Sequence, residues 1–194
     1  MNKLLAAEPD FLILQDQSQI PALGAGHSQY QDCREGVKIF REAMPTKTDL
    51  ILYMTWGRRN SQGWEGCFSN MQENLRLGYE DYCNHGLTAG SGGLVFVAPV
   101  GLAFKEVHDQ YCEGGTSDGH CESPGVGKGC ADATNGKTDF TDLYKGDGSH
   151  PAEAGCYLSH LVFYAVLTGK SPVGLPGPGN CRMKFVEEHF INHT

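Results

Sequence analysis

The chain has 194 residues and carries 15 Lys and Arg against 23 Asp and Glu, a formal net charge of −8. That balance supplies no clustered positive charge for a nucleic-acid surface or a membrane-adhesive face. With 40% hydrophobic residues there is apolar material for a packed core, but no run approaches the ~20 residues of a membrane span.

Taken in chain order, residues 10–15 (DFLILQ) are a short continuous apolar run, the pattern of a strand buried on both faces of a parallel sheet. Residues 33–44 place Val37, Ile39, Phe40 and Ala43 at helical spacing and stop at Pro45. Residues 49–55 (DLILYMT) repeat the buried-strand pattern and end at Trp56-Gly57. Residues 68–87 carry Met71, Leu75, Leu77 and Tyr79 among polar side chains, an amphipathic helix. A third strand is expected over 94–97, then a helix over 102–111. The last helix opens after Pro151, runs to about Thr168 with an apolar stripe that would pack on the sheet, and stops at Gly169. Strands alternating with helices at this spacing predict an α/β domain with a parallel sheet.

Residues 112–137 differ in kind: they are rich in Gly, Ser and Asp, without periodicity, and read as a surface insertion. A calcium loop does not fit there, because placing its glycine on Gly136 puts Ala131 at the first carboxylate position. Residues 176–194 read as a C-terminal tail. Eight cysteines occur without a CxxC pair, which leaves nothing for a zinc ribbon and favours disulfides in a secreted protein or another oxidising compartment over a cytosolic chain with buried free thiols, with connectivity left open. Asn192-His193-Thr194 is a glycosylation sequon consistent with secretion. Residues 1–7 form no signal peptide, so a segment is expected upstream of Met1.

Residues 139–157 (DFTDLYKGDGSHPAEAGCY) hold the chemistry. Asp147 and His150 stand in a D-x-x-H spacing on a loop before a helix. A carboxylate three residues from a histidine can accept its Nδ1–H, fix the tautomer and leave Nε2 as a general base. The plainer alternative makes Asp147 and Ser149 caps for backbone donors and His150 a surface residue.

The sequence Asp147-Gly148-Ser149-His150-Pro151, followed by Gly155 and an apolar helix, resembles the last motif block of the SGNH (GDSL-type) hydrolases. In that family a D-x-x-H-P loop supplies the Asp and His of a Ser-His-Asp triad. Residues 10–19 resemble the family's third strand and its oxyanion loop, with Gln17-Ser18-Gln19 where Gly-x-Asn is usual, so that Gln19 falls on the Asn position. Residues 49–55 with Trp56, Gly57, Arg58 and Arg59 resemble the fourth strand and its active-site-facing loop, and residues 94–101 the fifth. The resemblance covers about residues 10–175 and implies a three-layer flavodoxin-like fold over residues 1–175, truncated at the N-terminus. The strand bearing the nucleophile serine and the next βα unit would then lie upstream of Met1, and residues 1–8 would end the helix before strand three. Implied catalytic residues are His150 and Asp147, and implied oxyanion or substrate-loop residues are Gln17, Ser18, Gln19, Trp56 and Arg58. The implied reaction is hydrolysis of a small-molecule or carbohydrate ester with no metal and no organic cofactor. Loss of two strands would also expose residues 11–14 as a hydrophobic edge, so the chain alone is expected to be marginally stable or to pair there.

Two alternatives are open. One is a non-catalytic secreted carbohydrate-binding or interaction module on the same fold, with Trp56, Trp64, Tyr79 and Tyr82 as stacking faces. The other is a metal-dependent hydrolase using His85, His108, His120 and His150, whose spacing matches no ligand pattern.

Overall fold

In the computed structural model, residues 7–59, 68–90, 92–111 and 140–177 are described. The insertion over 112–137, the sequon and nearly all of the C-terminal tail lie outside them. The elements in order are β1 (Phe11–Leu14), a 3-10 turn (Ile20–Leu23), α1 (Ser28–Ala43), β2 (Asp49–Tyr53), α2 (Phe68–Leu87), β3 (Val95–Ala98), α3 (Val100–Tyr111), a second 3-10 turn (Phe140–Leu143) and α4 (Glu153–Thr168). The protein is α/β. It divides into two compact units, one from Met1–Thr55 and Gln72–Pro99, the other from Trp56–Met71 and Val100–Thr194.

The first unit holds a parallel sheet in the order β1-β2-β3. Phe11 pairs with Asp49 and Leu14 with Leu52, while Leu50 pairs with Val95 and Tyr53 with Ala98. Both crossovers step in the same direction, and right-handed connections then place α1 and α2 on one face. Gly86 of α2 bears this out, because a Cβ there would meet Val37 of α1 at 2.8 Å and Val95 of β3 at 3.3 Å. Leu50, Ile51 and Leu52 are sealed, which makes β2 the core strand. Among the described residues the one buried cation, Arg41 in α1, donates to the carbonyls of Thr48, Met44 and Pro45 and so ties the end of α1 to the turn entering β2. Burial lowers its pKa, and the carbonyl partners are what makes a charge tolerable there.

The second unit packs α3 against α4 and the Phe140–Leu143 turn. The stripe of α4 is buried at Leu158, Leu161 and Val162, and the helix ends at Gly169 with φ 65°.

The structure departs from expectation in two places. Helix α1 starts at Ser28 rather than Cys33, because Tyr30, buried at 3% exposure and bonded through its hydroxyl to Asp81, extends the packed face by a turn. β1 is not buried on both faces. Phe11 and Ile13, on the face turned away from the two helices, are 43% and 46% exposed, and among the described residues β1 has a strand neighbour on one side only.

An open strand edge with apolar side chains is a template for pairing. Light scattering is expected to show concentration-dependent association of the 194-residue chain, suppressed by Ile13→Lys. A monodisperse monomer with a sharp cooperative melt would contradict this.

Candidate active site

The D-x-x-H segment forms a closed turn in the second unit. Its base is sealed by an antiparallel bridge between Tyr144 and Pro151, with Lys145 N–H donating to the His150 carbonyl at 2.8 Å and Ala152 N–H to the Leu143 carbonyl at 2.9 Å. Gly148, at φ 65°, occupies the left-handed conformation that turns the chain, and its N–H donates to the Lys145 carbonyl.

Inside this turn Asp147 accepts three hydrogen bonds. The amides of Ser149 and His150 both donate to Oδ1 at 2.9 Å, and His150 Nδ1–H donates to Oδ2 at 2.6 Å. Asp147 thus makes the capping contacts of the plainer alternative with one oxygen and meets the imidazole with the other. The bond from His150, followed by those from the two amides, holds the Asp147 carboxyl well below the usual carboxylate range. The His150 side chain is 73% exposed, and its Nε2 has no hydrogen-bond partner among the described residues.

The turn is held from outside by the segment that follows β2. Trp56 Nε1–H donates to the Ser149 carbonyl at 3.0 Å, and the Arg59 amide donates to the Gly148 carbonyl at 2.8 Å. In return, the Tyr144 hydroxyl donates to the Gly57 carbonyl at 2.7 Å. Beneath them the Trp56 indole lies flat on Phe104, with centroids 4.6 Å apart and planes within 9°, and Phe104 meets Tyr144 edge to face at 5.6 Å. Burial pushes the Tyr144 phenol far above its ordinary pKa, so it remains a donor at any working pH. Gly155 lets α4 close on this assembly, because a Cβ there would collide with the Leu143 carbonyl oxygen and press on Phe104 at 3.0 Å.

The expected site residues thus separate. Trp56, Arg58, Asp147 and His150 share the second unit. Trp56 is a support of the turn, and Arg58, half-buried, directs its amide at Met71 Sδ 3.3 Å away. Gln17, Ser18 and Gln19 belong to the first unit, in a loop folded on itself. The Gln17 amide donates to Asp16 Oδ1 at 2.6 Å and the Gln19 amide to Gln17 Oε1 at 2.9 Å, while Gln17 Nε2 lies 3.5 Å from Ser18 Oγ. Two backbone donors of this loop and the Gln17 carboxamide are therefore already engaged, which leaves less for an oxyanion than the spacing suggested.

Tyr79 and Tyr82 are buried at 1% and 2% exposure, so neither offers a face to a sugar, and Trp64 lies outside the described residues. His85 pairs with Glu35 at 2.8 Å and His108 with Asp109 at 2.9 Å, and no cluster of three metal-ligating side chains occurs among the described residues. Cys33, Cys83 and Cys156 are free thiols; the other five cysteines lie outside the described residues. None of the described helices is long and apolar enough to cross a membrane. Sequence reasoning missed Phe104 and Tyr144, for which no local pattern existed.

No family profile and no curated protein matches the chain. The chain is similar in fold to the crystal structure of a DUF4886 family protein from Bacteroides uniformis ATCC 8492, with a TM-score of 0.57 and 17% identity over 95% of this chain. It spans 61% of that protein's length.

Because the folded pKa of Asp147 is depressed, its contribution to stability is present above the unfolded value of about 3.9 and is lost as pH falls through the lower folded value. A carboxyl NMR titration should find Asp147 still ionised at about pH 3, where free aspartates are mostly protonated. Titration at the ordinary value would contradict the turn geometry. Gly155→Ala should destabilise the protein by about 1–3 kcal/mol in urea unfolding, as overpacking against backbone does.

Proposed function

We propose that this chain carries the His-Asp half of a serine ester hydrolase of the SGNH type, on a three-layer flavodoxin-like fold. The observation that carries the proposal is the His150–Asp147 pair, with Nδ1–H committed to a carboxylate at 2.6 Å and the opposite nitrogen turned to solvent. The resemblance of the D-x-x-H-P block and the parallel α/β sheet support it.

In this proposal the neutral imidazole keeps its proton on Nδ1. Nε2 removes the proton of a serine hydroxyl as that oxygen attacks the acyl carbonyl of an ester. His150 then gives the proton to the leaving alkoxide, which departs as an alcohol, and the acyl group remains on the serine. Water is activated by the same Nε2 and releases the carboxylic acid. Asp147 stays ionised throughout and balances the imidazolium, which its depressed pKa makes possible. The nucleophile is a serine outside these 194 residues. Substrates are esters of small alcohols or carbohydrates.

The test is ester hydrolysis by the full gene product and its His150→Ala variant. The variant is expected to lose about 10⁶-fold in kcat, the scale of a lost general base within a triad, while ligand binding is kept. Carbohydrate binding without hydrolysis, indifferent to His150→Ala, would favour the non-catalytic module instead.

A further inference from the structure

The dyad turn closes on itself, yet nothing inside it determines where it stands in the second unit. Beside the packing of α4, which follows directly in the chain, that placement comes from the bonds to the segment 56–59. Among these, the Trp56 bond falls on Ser149, the residue whose carbonyl carbon is joined to the nitrogen of His150. The indole is in turn fixed by its stack on Phe104, which is fully buried. The backbone of the turn at Ser149 is thereby referred to the core through one aromatic side chain.

We propose that Trp56 is a positioning residue for the His150–Asp147 dyad: its indole N–H, held by the stack on Phe104, latches the Ser149 carbonyl and sets where Nε2 of His150 stands. In its catalytic part this rests on the hydrolase reading; the latch itself does not. The role differs from the substrate contact that the loop's position in sequence suggested, because the polar atom of the indole is spent on the turn and its face on Phe104.

Phenylalanine at position 56 separates the N–H from the ring. Trp56→Phe keeps an aromatic surface for Phe104 and removes the donor, and because Ser149 is only half-buried, water can reach its carbonyl. Two readouts decide the matter. Amide hydrogen exchange on the chain itself should show the Arg59 amide, bonded to Gly148, exchanging about tenfold faster in Trp56→Phe. The His150 amide, bonded within the turn to Asp147, should keep its wild-type protection. Unchanged exchange at Arg59 overturns the latch, whatever the ester assay returns. On the full gene product, Trp56→Phe should lower kcat by about 10²-fold, the cost of a misplacement near 1 Å, with KM within a few-fold. A rise in KM at constant kcat overturns positioning in favour of substrate contact. Wild-type protein that hydrolyses no ester overturns the catalytic part, and the exchange data then judge the latch alone. If Trp56→Phe fails to fold, Tyr144→Phe, which removes the reciprocal bond to Gly57, is read by the same exchange at Arg59, with the same tenfold expectation and the same overturning result.

Discussion

One carboxylate organises the candidate site. Asp147 takes the amides of Ser149 and His150 on one oxygen and the imidazole Nδ1–H on the other. The backbone donors set the carboxylate plane, the plane sets the ring, and the ring presents Nε2 outward. Because all the partners lie within three residues, the arrangement needs no long-range contact to form. Charge-assisted bonds of this kind are stronger than neutral ones, and together they keep the carboxyl ionised where an ordinary aspartate would titrate.

A turn so self-sufficient still has to be placed, and here the second unit contributes what the motif does not contain. Trp56, Phe104 and Tyr144 form a continuous aromatic stack whose two polar ends are spent on backbone carbonyls. Stacked and edge-to-face rings add about 0.5–1.5 kcal/mol per pair beyond their buried area. The larger consequence is rigidity, since each ring limits the rotamer of the next. Gly155 completes the placement by letting α4 approach the Leu143 carbonyl, a contact no side chain would permit.

The legible part of this protein was its local part. Apolar runs over 10–15 and 49–55 and the 3.6-residue pattern over 68–87 reported their elements faithfully, because strand and helix periodicities are properties of a few neighbouring residues. The D-x-x-H spacing was legible for the same reason. Burial was not legible: DFLILQ reads as a strand that wants cover on both faces, while Phe11 and Ile13 stand exposed, since hydrophobicity states a demand and says nothing of whether it is met. The anchors of the turn were also hidden. Trp56 is 93 residues from Ser149 and Tyr144 is 87 from Gly57, separations at which a single sequence carries no pairing signal. Nor could the spacing show that Gln17 would fold its carboxamide back onto the amide of Gln19.

The similarity to a DUF4886 family structure bears on the fold, and the chemistry rests on the dyad and the motif that encodes it. In the proposed function His150 serves a nucleophilic serine. Labelling the full gene product with a fluorophosphonate, followed by peptide mass spectrometry, tests it most directly. A single modified serine outside these 194 residues is expected, with labelling lost on Asp147→Asn and His150→Ala alike. Labelling absent from folded protein, or unaffected by either substitution, would contradict it.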